Sequence, residues 1–131
     1  LINELFCMVL TDVFHARISP FVEKNQLIEN SCKYMRDNYE KPITLSQLAA
    51  QSNLSESYFL KMFKAETNSS PISFLLSIRL QNAKIMLSET DYKISYISAK
   101  CGFSNTSYFS YMFKRQAGIS PAEFRKITQH A

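Results

Sequence analysis

The sequence is poor in the residues that most enzyme and metal sites use. Of its 131 residues only two are histidine, His15 and His130, and these lie near opposite ends of the chain. Only two are glycine, Gly102 and Gly118, too few to form a glycine-rich loop that cradles phosphate. The sequence therefore contains neither a convincing nucleophile–base pair nor a metal-binding set. We expect no catalytic activity, no metal and no cofactor.

Cysteine is also scarce. Cys7, Cys32 and Cys101 are odd in number, far apart, and form no C-x-x-C pair that could chelate a metal or act as a redox couple. This usage fits a reducing compartment, so we expect the protein to be cytoplasmic.

Long apolar runs are missing as well. The first 22 residues begin apolar, but Asn3, Glu4 and Asp12 interrupt them and no basic region precedes them. They predict neither a signal peptide nor a membrane span. Because the chain starts with Leu rather than Met, we expect it to be part of a longer protein.

Residues 1–17 instead predict one amphipathic helix that ends before Pro20. We expect residues 1–24 to comprise this helix and a linker, at the end of an upstream regulatory or dimerisation region. Its apolar face could pack on that upstream region, on the rest of this chain, or on a second subunit. The apolar positions at helical spacing are Ile2, Leu5, Phe6, Val9 and Val13.

Strand patterns are absent throughout, so the predicted class is all-α. Helix caps and breakers such as Thr44, Ser55 and Pro71 divide the rest of the chain into further helices. We expect these at about 25–40, 44–52, 55–68, 71–88, 94–101, 105–117 and 121–129.

An internal repeat organises these helices. Residues 54–64 are echoed by 103–114, and Ser70-Pro71 recurs fifty residues later as Ser120-Pro121. Upstream of the repeated segment the spacing is forty-nine, so one residue is inserted in a turn. Two copies are too few for a solenoid, and the duplication predicts two similar helical subdomains.

Each copy has the pattern of a helix-turn-helix motif. A short helix (44–52 or 94–101) leads through a tight turn to a longer helix that starts with small polar residues. Helical spacing places three large apolar residues of each longer helix on an inward face: Phe59, Met62 and Phe63, and Phe109, Met112 and Phe113. The opposite face is predicted to hold Ser57, Leu60, Lys61 and Lys64 in the first copy and Thr106, Ser107, Ser110, Tyr111 and Lys114 in the second.

The charge distribution favours an acidic partner for the repeated region. Residues 1–40 carry four Lys/Arg and six Asp/Glu, whereas residues 41–131 carry eleven and five. Together with the duplicated motif, this excess of cations points to DNA. The competing interpretation is a helical protein–protein interaction module that uses the exposed aromatic and Leu side chains, with helix 1–17 as its docking element.

Several motifs, in order along residues 25–129, resemble the signature of the C-terminal DNA-binding domain of AraC/XylS transcription regulators. The resemblance implies a DNA-binding domain over 25–131, with helix-turn-helix motifs at about 44–68 and 94–117 joined by a long helix at 72–88. It also implies that one recognition helix from each motif enters one of two successive major-groove segments. The motifs are Leu48-Ala49, the run 57–64, the run 79–87, Ile97-Ser98, Cys101-Gly102-Phe103-Ser104, the run 107–114 and the run 118–125.

The resemblance also assigns candidate roles. Its base-reading positions fall on Ser57, Leu60 and Lys61 in the first motif and on Thr106, Ser107, Tyr108 and Tyr111 in the second. Only Tyr108 lies outside the faces expected from the helical period. Tyr111 departs from the long basic or polar residue usual at its place. Candidate phosphate contacts are Lys41, Thr44, Lys64, Lys93, Ser110, Lys114 and Arg115.

The connecting helix is expected to hold the two motifs apart. About 17 residues at ~1.5 Å each span roughly 25 Å, the order of one DNA turn. Arg79 lies beside its predicted buried stripe and is expected to pair with an acid or to contact a phosphate, the structural role being favoured. The predicted stripe is Leu76, Leu80, Ala83 and Leu87.

The expected partner is double-stranded DNA. RNA polymerase is expected as a second partner. The apolar face predicted for residues 1–17 also allows a homodimer, through these residues or through an upstream domain.

Overall fold

The computed structural model of the chain describes residues 20–129, with side chains from Asn25 onward. The helix expected over 1–17 lies outside the described residues. Within them the chain forms helices and no strand. This confirms the predicted all-α class, with two helix-turn-helix motifs and a long helix between them in sequence. The helices are α1 Pro20–Asn38, α2 Leu45–Gln51, α3 Glu56–Thr67, α4 Pro71–Glu89, α5 Ile94–Lys100, α6 Thr106–Ala117 and α7 Pro121–Gln129.

The start of α1 differs from the sequence prediction. The helix begins at Pro20, not at Asn25, so residues 20–24, expected in a linker, are helical. From the sequence, Pro20 is expected only to end a preceding helix. Proline is also well tolerated in the first turn of a helix, where its missing N–H would have had no intrahelical partner.

Side-chain caps fix where the motif helices begin. The Thr44 hydroxyl accepts a hydrogen bond from the Gln47 backbone N–H at 3.1 Å, and the Gln47 side chain accepts from the Thr44 N–H, which makes a capping box. Ser55 accepts from the Tyr58 N–H at 3.2 Å, as expected for the cap of α3. Asn105 does the same for α6, accepting from the Tyr108 N–H at 2.8 Å.

The chain folds as two compact units. The first contains the described chain up to Tyr34 together with Thr44–Pro71, and therefore includes α2 and α3. Its largest fully buried side chains are Phe59 and Phe63 of α3. Its other buried apolar residues are Ile28, Cys32, Leu48, Ala49 and Met62. This core supports α3 along one side.

The second unit contains Met35–Ile43 and the chain from Ile72 onward. The ring of Phe113 packs 5.7 Å from that of Phe109 and 5.4 Å from that of Phe124, so α6 is held by aromatic contacts on its inner side. The central cluster is Leu80, Ala83, Leu87, Ile97, Cys101, Phe103, Phe109 and Phe113.

The buried side of α4 is wider than the predicted stripe. Leu80, Ala83 and Leu87 are fully buried as expected, but Leu76 is only half-buried, and Leu75 is 4% exposed in its place. Leu75 and Leu76 lie about 100° apart around the helix. The first turns of α4 are therefore covered on more than one side, which a single-stripe interpretation could not anticipate.

Candidate nucleic-acid interface

Helix α3 separates an apolar inner face from a mostly polar outer one. Phe59, Met62 and Phe63 are buried, as predicted from their spacing. The residues expected on the outer face are all exposed, including Leu60 with 38% of its surface accessible. These outer residues are Ser57, Leu60, Lys61 and Lys64. The outer face of α3 thus offers a hydroxyl, an apolar side chain and two ammonium groups to a partner.

Helix α6 repeats this division with two differences. Tyr111, 60% exposed, and the other exposed residues Thr106, Ser107 and Lys114 lie on the outer side as expected. Ser110, expected on the same face, is half-buried, and Met112, expected in the core, is also half-buried. Ser110 lies one helical turn before Phe113, so it flanks the buried face.

Tyr108 lies at the edge of that outer face. Its ring is 51% exposed and its centroid lies 6.2 Å from that of Phe103. Helical periodicity did not place it on the outer face, whereas the family resemblance did. Its position two residues into α6 explains the exposure, because a side chain in the first turn projects past the end of the helix.

The turns before both recognition helices share one backbone feature. Asn53 and Gly102 adopt positive φ, at 58° and 98°, within the two helix-turn-helix turns. Asn68 and Gly118, with φ of 62° and 88°, occupy the C-cap positions of α3 and α6. Glycine and asparagine are the residues that enter this region most readily. The two motifs thus begin and end their recognition helices in the same way.

The side chains proposed for phosphates differ in availability. Lys41, Lys93 and Arg115 are exposed. Thr44 is exposed too, but its hydroxyl oxygen already accepts the capping hydrogen bond, so it would approach a phosphate as an O–H donor. Lys93, at the matching cap position of α5, makes no side-chain cap.

Arg79 has a structural role, as favoured, but its partners are backbone carbonyls instead of an acid. Its Nε donates to the Tyr39 carbonyl oxygen at 2.7 Å and its Nη2 to that of Lys41 at 2.8 Å. Desolvation by burial lowers the pKa of the guanidinium from its ordinary value. These bonds fix the backbone that follows α1 from Tyr39 to Lys41, which is itself a phosphate candidate and lies three residues before Thr44.

Arg125 makes an equivalent pair of bonds that the sequence did not predict. Its Nε donates to the Leu87 carbonyl oxygen at 3.2 Å and its Nη2 to that of Thr90 at 3.0 Å, at the end of α4. Leu87 and Thr90 contribute only their backbone carbonyls, and every residue has a carbonyl whatever its side chain. No sequence signal could therefore have identified this pair.

Formal charge is unequal between the units. Among the described side chains, the first unit has three Lys/Arg and three Asp/Glu, and the second has ten and five. The cationic excess noted in the sequence belongs to the unit that contains α6. Electrostatic attraction to a polyanion is therefore expected mainly from that unit.

Comparison with known proteins identifies the family. A family model described as a helix-turn-helix domain matches residues 48–127. An uncharacterised HTH-type transcriptional regulator of Escherichia coli, YdiP, is 33% identical over 106 residues, which are 81% of this chain and 35% of that protein.

Solved structures agree with this match. The DNA-binding domain of AdpA, in complex with a target DNA, superposes with a TM-score of 0.76 at 25% identity, covering 79% of this chain and 93% of that one. A probable AraC family transcriptional regulator from Rhodopseudomonas palustris superposes with a TM-score of 0.71 at 26% identity, covering 79% and 98%. The chain belongs to the AraC/XylS family.

This AraC/XylS domain is a sequence-specific DNA-binding domain for transcription regulation, in a family of regulators rather than of enzymes. The chain spans between 35% and 40% of the length of the curated relatives it matches first.

Two negative findings apply to the described part of this domain. Residues 20–129 hold no group of three or more His, Cys, Asp or Glu side chains placed to bind a metal ion. Across the same residues, none of the helices combines the length and apolarity that crossing a membrane requires.

Proposed function

We propose that this domain binds double-stranded DNA with α3 and α6 in two successive major-groove segments, and that the outer residues of both helices read the bases. The observation that carries the proposal is the matched outer face of the two helices. Each helix follows a turn that contains a positive-φ residue, begins at a side-chain N-cap, and packs inward through buried aromatic rings. Helix-turn-helix domains insert the N-terminal part of the second helix into the major groove.

In the first motif, each base-reading candidate offers a distinct chemistry. The Lys61 ammonium can donate to O6 or N7 of guanine. Leu60 offers an exposed apolar side chain that suits the methyl group of thymine, and the Ser57 hydroxyl can pair with either kind of base. The proposed preference of α3 is therefore for a guanine next to a thymine-containing step.

The second motif is proposed to read its segment differently. Thr106 and Ser107 provide hydroxyls at the front of α6, while Tyr108 and Tyr111 add exposed rings with a hydroxyl at their tips. Such a ring can contact a thymine methyl, and its O–H can donate to a purine N7. Since no lysine or arginine stands at position 111, we propose less dependence on guanine here than in the first segment.

Phosphate contacts are proposed to flank both helices and to position the domain without specifying sequence. The side chains proposed for this role are Lys41, Thr44, Lys64, Lys93, Ser110, Lys114 and Arg115. More of these cations belong to the second unit. We therefore expect the salt dependence of binding to come mainly from that unit.

A footprint of the monomeric domain tests the two-helix arrangement. We expect protection of two major-groove segments about one helical turn apart on one face of the duplex. One protected segment of about five base pairs would contradict it. A salt titration tests the rival protein-interaction module, because affinity that depends on several phosphate contacts falls steeply with salt, whereas an apolar interface responds little.

Lys61 and Lys64 give a matched pair of variants for base reading. Lys61→Ala should relax the base preference at particular positions and cost roughly 1–3 kcal/mol of binding free energy on the best site. Lys64→Ala should weaken binding to all sequences alike. Selection from a randomised library with each variant decides the matter, and an unchanged preference in both would remove Lys61 from base readout.

For the whole protein we propose a bacterial transcription regulator that acts in the cytoplasm, with RNA polymerase as a second partner. Residues 25–131 would form its DNA-binding domain. A homodimer contact is proposed through residues 1–17 or through an upstream domain, because the apolar residues of 1–17 recur in the sequence at helical spacing. Sedimentation over a concentration series should then give a rising mass, and a constant monomer mass would exclude the contact through 1–17.

A further inference from the structure

Glu56 is a side chain on the first recognition helix that the proposed base-reading set leaves out. It is the first residue of α3, immediately after the cap Ser55, and it is exposed. Within the described part of the chain its carboxylate forms no hydrogen bond or ion pair with another side chain. It is therefore available to a partner that approaches the front of α3.

The internal repeat gives Glu56 a counterpart on α6. Counting fifty residues on from Glu56 leads to Thr106, the first residue of α6 and one of the proposed base-reading side chains. Helical side chains lean toward the N-terminus, so a first-turn residue extends past the end of the helix. This is the part of a recognition helix that meets base edges. If Thr106 reads a base, Glu56 is placed to read one too.

A carboxylate at this place strongly restricts what it can meet. It repels phosphates, so on DNA it is tolerated best against a hydrogen-bond donor of a base edge. In the major groove, guanine offers acceptors and thymine an acceptor with a methyl group. Adenine presents its N6 amino donor beside the acceptor N7, and that acceptor repels a carboxylate. Cytosine offers its N4 amino group as a donor without a neighbouring acceptor of its own.

We propose that Glu56 is a specificity determinant that selects cytosine within the DNA segment bound by α3 and lowers the affinity for DNA lacking it. This inference rests on the proposed function, because it requires α3 to lie in the major groove. The second motif lacks this acid and carries a threonine in its place, so the selection applies to one of the two segments only.

Glu66 provides a charge control on the same helix, and its carboxylate accepts a hydrogen bond from the Asn25 side-chain amide. It lies in the last turn of α3, is exposed, and carries the same charge. The domain with Glu56→Gln, Glu56→Ala or Glu66→Gln should be compared with the unchanged domain in selections from a randomised duplex library. The best site should then be titrated with its cytosine and with thymine at that position, beside duplex of unrelated sequence.

The unchanged domain and Glu66→Gln should select a cytosine in the α3 segment and lose on the order of tenfold in affinity when it is replaced. Glu56→Ala should lose this discrimination and bind unrelated duplex several-fold more tightly. Glu56→Gln should shift toward adenine, because an amide can both donate to N7 and accept from N6.

A purely structural role predicts something else. An acid in the first helical turn also interacts favourably with the helix dipole, so Glu56→Gln could lower the melting temperature slightly without DNA. If all variants selected the same sequence as the unchanged domain, Glu56 would act on the helix alone and the inference would be overturned. If the unchanged domain selected no sequence at all, the proposed function itself would fail. The two failures are distinguishable, because in the first one the unchanged domain still selects a sequence.

Discussion

The two helix-turn-helix motifs have the same backbone features built from different side chains. Asn53 and Asn68 of the first motif stand where the second has Gly102 and Gly118, and all four have positive φ. Ser55 and Asn105 cap the two recognition helices through the same kind of hydrogen bond. The two copies thus share their backbone conformation, and each copy has residues that can adopt it at these positions.

The interiors of the motifs differ more. The buried hydroxyl of Ser52 lies 3.4 Å from that of Ser31 and donates to the Leu48 carbonyl oxygen. Its counterpart in the second motif is Cys101, whose thiol lies 3.8 Å from the Met86 sulfur. Burial raises the pKa of this thiol to about 11, so it is neutral at physiological pH. At this corresponding position the first motif has a contact between hydroxyl groups, and the second has a contact between sulfur atoms.

The largest effect is expected from the second recognition helix. Phe113 is fully buried and Tyr111, two residues earlier, is 60% exposed. Phe113→Ala should lower the free energy of unfolding by about 3–5 kcal/mol and lose DNA binding as a consequence. Tyr111→Ala should change the free energy of unfolding by no more than about 0.5 kcal/mol, while it weakens specific DNA binding. Thermal melts beside binding assays measure both, and equal destabilisation would place Tyr111 in the core.

The two glycines separate backbone strain from crowding. A Cβ at Gly102 would lie 2.7 Å from both the Arg79 Nε and the Tyr39 carbonyl oxygen, whereas a Cβ at Gly118 would meet nothing within 4 Å. Gly118→Ala should cost about 1–2 kcal/mol from positive φ alone. Gly102→Ala should cost more, on the order of 3 kcal/mol, because it also displaces Arg79. Denaturant titration compares them, and similar losses would contradict the crowding.

Ser98 and Ser52 should respond to alanine with opposite signs. The Ser98 hydroxyl is buried with no hydrogen-bond partner among the described residues, and the first motif has the buried Ala49 at this position. Ser98→Ala should therefore raise the free energy of unfolding by up to about 1 kcal/mol. Ser52→Ala should lower it by about 1–2 kcal/mol, since it leaves Ser31 without this contact. A loss of stability in Ser98→Ala would contradict this, because it would mean that the Ser98 hydroxyl forms a stabilising hydrogen bond.

The smallest effect concerns the caps of the short helices. Thr44→Ala should cost about 1 kcal/mol because it removes the capping box of α2. Lys93→Thr should add a few tenths to about 1 kcal/mol by giving α5 the cap that it lacks. Its DNA affinity should nevertheless fall as one cation is lost. Melting curves and salt titrations of both variants provide the test, and unchanged affinity in Lys93→Thr would remove Lys93 from the phosphate contacts.

Much of the fold could be predicted because it depends on local chemistry. The spacing of Phe59, Met62 and Phe63 places them on one side of a helix wherever that helix lies. Caps such as Ser55 act on amides two or three residues away, so the sequence specified them directly. The same spacing predicts the outer residues of α3, because they lie on the side of the helix opposite these three. Repetition strengthened each of these inferences by presenting the pattern twice.

Only the tertiary structure decided which distant groups meet. The hydrogen bonds of Arg79 and Arg125 join residues 35 to 40 positions apart and end on carbonyls that every residue possesses. The burial of Leu75 and the half-burial of Ser110 likewise depend on which neighbours cover a helix, not on its period. Periodicity and caps determined the helices and their faces because those interactions span one or two turns. The arginine contacts and the second buried side of α4 required the packed core, because their partners carry no side-chain signature.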